Sequence, residues 1–210
     1  MSNKEQKGKD QKGLQRLILD TARELLIATG YARLSMRNIA NKIGYSATSI
    51  YLYYENKDDL VHALIDEGVD LLFEQMNDAD SSASEAAARL RAMCNVYITF
   101  GLNRPQYYEI MYVLHPEYIK RYPAEKYRKA RRILELIAGT MRETTEKGVL
   151  SEKESMLCAN LAWAQLHGVV TLLSSERVDK RIEPQVLIDG VCDQIVANLK
   201  ATSMAITSGV

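Results

Sequence analysis

Apolar positions recur three and four residues apart along most of the chain, the period of helices that bury one face. Leu14, Leu17, Ile18, Ala22, Leu25 and Leu26 line one side of a predicted helix over 14–29, and Gly30 stands where a positive φ would end it. Ser35 is placed to cap a second helix over 36–43, with Ile39, Ala40 and Ile43 inward. Gly44 closes that helix, and Ser46 caps a third over 47–53, anchored by Ile50 and Tyr54. Asn56 opens a fourth, from 57 to about 77, with Asp58 and Asp59 favouring the positive end of its dipole.

The same pattern continues beyond a polar break at 78–84. Ser82 and Glu85 have capping-box spacing ahead of a helix reaching about 102. Pro105 begins a short aromatic helix that Pro116 ends, and a long helix follows from 123 to 147. Ser151 and Glu154 form a second capping box, and Pro184 opens a last helix carrying Leu187, Ile188, Val191, Ile195, Val196 and Leu199 on one face. The expected fold is all-α: a polar arm (1–13), a three-helix unit (14–58), a larger helical body (59–200) and a flexible tail (201–210).

Within the three-helix unit, two short helices are split by Gly44, Tyr45 and Ser46. Two helices joined by a tight, glycine-containing turn have helix-turn-helix form, whose second helix enters the DNA major groove. That helix leaves Ala47, Thr48, Ser49 and Leu52 outward, and small or hydroxyl side chains suit close approach to base edges. Tyr51 and Tyr53, two apart, point to different sides, so one is expected packed and one free.

The run 39–57, IANKIGYSATSIYLYYENK, resembles the DNA-binding domain of the tetracycline-repressor (TetR) family of bacterial transcription regulators. That family's pattern is roughly I-A-x-x-A-G-V-S-x-G-T-L-Y-x-Y-F-x-x-K. The resemblance implies a double-stranded DNA operator as partner. It puts Arg37, Ser46, Thr48, Tyr51, Tyr53 and Lys57 at base- or phosphate-contacting positions and Tyr54 at the core aromatic position. With the cap and the outward helix face, the expected DNA-binding set is Ser35, Arg37, Ser46, Ala47, Thr48, Ser49, Tyr51, Tyr53 and Lys57. Tyr45 departs from the usual small apolar residue, and Thr48 from the frequent glycine. The run 163–168, WAQLHG, is similar to a Trp-x-x-x-His-Gly subgroup of the family's C-terminal regions. The resemblance implies a homodimer built on the last two long helices and an effector pocket among the middle ones.

Charge sharpens this picture. Lys+Arg and Asp+Glu are both 27, yet residues 1–54 hold nine of the former and four of the latter. A basic N-terminal quarter on an acidic remainder points to a local polyanion partner. The arm lysines Lys4, Lys7, Lys9 and Lys12, and the run Lys126, Arg128, Lys129, Arg131 and Arg132, read as solvated.

No catalytic constellation is evident: His62, His115 and His167 share no metal spacing with one another or with the cysteines, and there is no glycine-rich phosphate loop. Neither enzyme activity, cofactor nor metal is expected. Cys94, Cys158 and Cys192 lie far apart in apolar surroundings, as reduced buried thiols do, and a polar, lysine-rich start is no signal peptide; a cytoplasmic location is expected. Residues 155–175 carry no charge, long enough for a membrane span. Asn160, Gln165 and His167 within it, and the lack of a second span, favour a helix buried on several faces and no membrane partner.

Large adaptable side chains concentrate in the middle of the chain, as small-molecule sites require. Tyr97, Phe100, Tyr108, Met111, Met141, Trp163 and His167 are the candidate effector residues, with core packing the competing reading. The expected protein is a ligand-responsive DNA-binding repressor. The alternative is a helical small-molecule-binding or adaptor protein that has lost DNA binding.

Overall fold

The computed structural model describes residues 3–113, 124–145 and 150–207. In chain order these form α1 (Asn3–Thr29), a 3-10 turn (Tyr31–Arg33), α2 (Met36–Ile43), α3 (Ala47–Tyr51), α4 (Lys57–Asp80), α5 (Ala86–Asn103), α6 (Pro105–Tyr108), a π turn (Glu109–Val113), α7 (Ala124–Thr144), α8 (Glu152–Ser174) and α9 (Pro184–Thr207). Among the described residues there is no strand, as the helical periodicity requires.

Two compact units divide the chain: Met1–Gly68 with Gln106–Pro123, and Val69–Pro105 with Ala124–Val210. The division falls inside α4 at Gly68, not at 58 as expected. The segment after Pro105 belongs with the N-terminal unit. Periodicity shows that a helix has an apolar face; it does not show what that face meets.

The first unit closes around Ile18, Ala22 and Leu26 of α1, Ile39 and Ala40 of α2, Ile50 of α3, and Leu60, Val61 and Leu64 of α4, with Leu34, Tyr54 and Ile110 completing the core. Its joints are capped as the sequence implies. The Ser35 hydroxyl accepts the Asn38 N–H at 3.1 Å, the Ser46 hydroxyl accepts the Ser49 N–H at 3.1 Å, and the Asn56 side-chain oxygen accepts the Asp59 N–H at 2.9 Å. Gly44 ends α2 at φ 75 and ψ 27, a left-handed conformation that glycine reaches without steric cost. Replacing Ser35 by alanine is expected to destabilise the unit by about 1 kcal/mol, read as a lowered thermal midpoint, because the Asn38 N–H loses its acceptor.

Two local expectations fail here. α1 begins at Asn3 instead of Leu14, since the Lys, Gln and Glu that make the segment polar are also good helix formers. The side chains of Lys4, Lys7 and Lys9 lie outside the described residues. Leu17 is exposed, leaving Ile18, Ala22 and Leu26 as the buried stripe of α1.

In the second unit α5, α7, α8 and α9 pack on one another. Leu90, Met93, Cys94 and Tyr97 of α5 share the core with Ile133, Ile137 and Met141 of α7, Leu166 and Val170 of α8, and Ile188, Cys192 and Ile195 of α9. Ser151 and Glu154 form their capping box, and the two bonds hold the Glu154 carboxyl below the usual carboxylate range. The box expected at Ser82 and Glu85 does not form. Glu85 is itself the cap residue of α5, and the Ser82 hydroxyl donates to the Ala79 carbonyl at 2.7 Å. α9 continues to Thr207, past the expected fraying point at 201. The predicted breaks at Pro116, Pro123 and Gly148, the residues Lys147 and His115, and the Lys126 and Arg128 side chains lie outside the described residues.

α8 is long and apolar enough to cross a membrane by length and composition. One side of it is already occupied: Ser155, Ala159, Ala162, Leu166, Val169 and Val170 are buried at helical spacing. The other side leaves Leu157 60% exposed and Leu161 56% exposed.

Candidate nucleic-acid interface

α2 and α3 form the candidate reading head, and their caps fix the angle between them. α3 has only five residues, and Ile50 is the only one it buries. Because successive residues turn by about 100°, Thr48, Ser49 and Leu52 fall away from Ile50, on the side opposite the core. Thr48 is exposed, Ser49 and Ala47 are half-buried, and Tyr51 is 53% exposed. Tyr53 packs against the core, so of the two tyrosines Tyr51 is the free one.

The nine expected contact residues do not all present free groups. The hydroxyls of Ser35 and Ser46 serve as caps, and the Ser46 and Ser49 hydroxyls bond each other at 2.9 Å. Lys57 is engaged inside the unit: its ammonium donates to the Tyr31 carbonyl at 3.1 Å and sits 3.8 Å from the centre of the Tyr31 ring. The Tyr31 hydroxyl in turn donates to the Asp58 carboxylate, and burial together with that bond pushes the phenol's pKa up. Lys57 therefore ties the link before α2 to the start of α4. Arg37 is exposed on α2, and Lys42 on the same helix pairs with Glu24 at 2.8 Å.

Behind the head, a second arrangement holds 106–113 in the first unit. Arg16 and Arg23 both bind Glu67, the latter at 2.7 Å, and Asp20 accepts from both. The Arg23 guanidinium lies 4.5 Å over the buried Tyr107 ring. Met111 fills the space beside Gly68, where an added Cβ would stand 2.5 Å from its sulfur and 3.2 Å from Tyr107 Cδ1. The only sequence hint is a glycine inside an otherwise good helix.

Comparison with known proteins bears on both units. The N-terminal domain of "Bacterial regulatory proteins, tetR family" matches residues 18–64, and "Tetracyclin repressor-like, C-terminal domain" matches residues 90–195. The chain belongs to the TetR family. It is a TetR-family transcriptional regulator with a helix-turn-helix DNA-binding domain, which is not typically an enzyme. Among relatives of this TetR-family chain, the uncharacterized HTH-type transcriptional regulator YobS of Bacillus subtilis (strain 168) is 22% identical over 168 residues, 79% of this chain and 82% of that one. A protein with unknown function from Rhodococcus sp. RHA1 has a TM-score of 0.75 at 22% identity, covering 88% of this chain and 94% of its own. The fatty acid degradation regulator FadR from Bacillus halodurans has a TM-score of 0.67 at 20% identity, covering 88% and 95%.

The candidate effector residues of this TetR-family chain are drawn from both units. Tyr108 and Met111 belong to the first unit; Tyr97, Phe100, Met141, Trp163 and His167 belong to the second. Tyr97, Phe100 and Met141 are fully buried core. The Trp163 indole donates to the Tyr97 hydroxyl at 2.8 Å, and the His167 ring lies 5.9 Å from that of Trp163. Desolvation lowers the His167 pKa, favouring the neutral imidazole. Elsewhere in this unit, an open depression of about 580 Å³ is lined by Lys129, Arg131, Arg132 and Glu135. Its cations are engaged, by Asp70, by Glu135 and by the face of Phe73 respectively. Burial pushes the Cys94 thiol up strongly and the Cys192 thiol to about 11, so both are poor nucleophiles.

Proposed function

We propose that the protein is a repressor that binds a near-palindromic operator as a homodimer and is released by a small, largely apolar effector. The observation that carries this reading is the outward side of α3. It is uncovered, held at a fixed angle by caps at both ends of the turn, and accompanied by the exposed Arg37. Two copies would set their α3 helices in successive major grooves, about 34–36 Å apart. Thr48, Ser49, Ala47 and Tyr51 would meet bases or phosphates, while Ser35, Ser46, Tyr53 and Lys57 would hold the head in shape.

The exposed Leu157 and Leu161 of α8 and Val186 of α9 supply an apolar face for the second copy. A second copy suits that face better than lipid, because the opposite side of α8 is packed in the protein and exposed Asn160 and Gln165 interrupt the apolar surface. The effector would enter beside Trp163 and His167 and compete with the Tyr97–Trp163 hydrogen bond, favouring a conformer that no longer fits the operator. A cytoplasmic location follows from this role.

Selecting bound fragments from genomic DNA is expected to enrich one palindrome. Affinity for it should fall steeply with salt. Arg37→Ala is expected to reduce the slope of log K against log salt by about 2 per dimer, since each copy then neutralises one phosphate fewer. Unchanged slope in that variant removes Arg37 from the interface, and failure to enrich any fragment leaves the adaptor reading standing.

A further inference from the structure

Leu52 is 80% exposed, the most exposed large apolar side chain among the described residues. It ends α3 with φ −69 and ψ −19, so it continues the helical path and falls four residues past Thr48 and three past Ser49. It therefore stands on the stripe opposite Ile50, the stripe that the proposed function turns toward DNA. A leucine so exposed contributes almost nothing to the fold, because its apolar area stays in water. Its position calls for an apolar group on whatever covers it.

The chemistry of the rest of α3 narrows what that group is. Residues 47–52 are Ala, Thr, Ser, Ile, Tyr and Leu. None is Arg or Lys, the side chains that grip guanine by two bonds; none is Asn or Gln, which grip adenine; none is Asp or Glu, which accept from cytosine. Hydroxyls bond many base edges with little discrimination. What remains to distinguish bases is apolar contact, and in the major groove only thymine presents an apolar group, its C5-methyl.

We propose that Leu52 is a specificity-determining residue that reads a thymine in each operator half-site through that base's C5-methyl group. The inference rests on the DNA-binding reading above and deepens it. It makes the operator's preference under α3 a matter of methyl groups, not of hydrogen bonds from charged or amide side chains.

The test uses the full-length protein and the operator recovered from genomic DNA. Each thymine of the half-sites is replaced in turn by uracil, which keeps pairing and the O4 acceptor and removes only the methyl. Dissociation constants are measured by fluorescence anisotropy at fixed salt for the wild type and for Leu52→Ala. For the wild type, one symmetric position is expected to weaken binding about fourfold per half-site, the effect of one exposed methyl left unburied. Leu52→Ala should bind thymine and uracil operators equally and keep the wild-type salt slope and helical content, since its side chain is outside the core. No uracil-sensitive position, or the same uracil penalty in Leu52→Ala, overturns the proposal while leaving DNA binding intact. If no operator is enriched at all, the DNA-binding reading fails first and this inference falls with it.

Discussion

Replacing Ile50 by alanine is expected to destabilise the first unit by about 2–5 kcal/mol and to remove specific DNA binding. Ile50 is fully buried and is the only buried residue of the five in α3. Its side chain is thus the main apolar anchor of that helix in the core it shares with α2. Truncation leaves a cavity and also frees the helix whose orientation matters. Valine at the same position loses one methylene and should cost about 0.5–1.5 kcal/mol. Thermal unfolding followed by circular dichroism, read beside operator affinity, checks both. An Ile50→Ala protein that melts and binds like the wild type would mean that α3 is held by something other than this contact.

The second large effect is expected at Gly68, where one added methyl should work against the usual direction. Glycine to alanine inside a helix ordinarily stabilises, by about 0.5–1 kcal/mol, since alanine has less backbone freedom to lose. At Gly139 of α7 nothing lies within 4 Å of the added Cβ, so the ordinary gain is expected there. At Gly68 the new carbon meets Met111 Sδ at 2.5 Å and Cγ at 3.0 Å. The methionine can turn away, but Tyr107 at 3.2 Å limits how far the segment can give. Gly68→Ala is therefore expected to destabilise by about 1–2 kcal/mol, at the lower end for overpacking because a thioether adapts. Adding Met111→Ala should recover part of the loss, so the two changes together cost less than their sum. Additive costs would show that Met111 does not touch this site in solution.

The sequence and the structure agree where the determining physics is local. A serine hydroxyl within reach of an orphan N–H caps a helix wherever it falls, so Ser35, Ser46 and Ser151 were legible, as were Asn56 and the left-handed Gly44. Glu85 shows the limit: two capping residues three apart compete, and the helix began one residue past Glu85 while Ser82 bonded backward. The start of α1 was hidden because polar, charged segments describe solvated helices as well as coils. The π turn at Glu109–Val113 and its seat beside Gly68 were invisible, since they depend on residues some 40 positions apart. The candidate DNA-binding residues differ in exposure, which depends on what each one packs against. Tyr51 and Thr48 face outward as expected, while Lys57 is committed to Tyr31. The aromatic and methionine candidates for an effector come from both units, and Tyr97, Phe100 and Met141 among them are buried. Residue type alone cannot distinguish a core aromatic from a pocket aromatic.

One consequence of the discontinuous first unit concerns synthesis on the ribosome. Residues 1–68 emerge before the rest, with every helix of the reading head among them, yet Gly68 and Arg23 wait for Met111 and Tyr107, which follow about 40 residues after Gly68. At translation rates of about 5–20 residues per second that interval is some 2–8 s, far longer than helix formation. The nascent head therefore passes through a stage that is helical but unfinished, with an apolar notch open beside Gly68. Its completion is timed by the passage of α5, a helix belonging to the other unit.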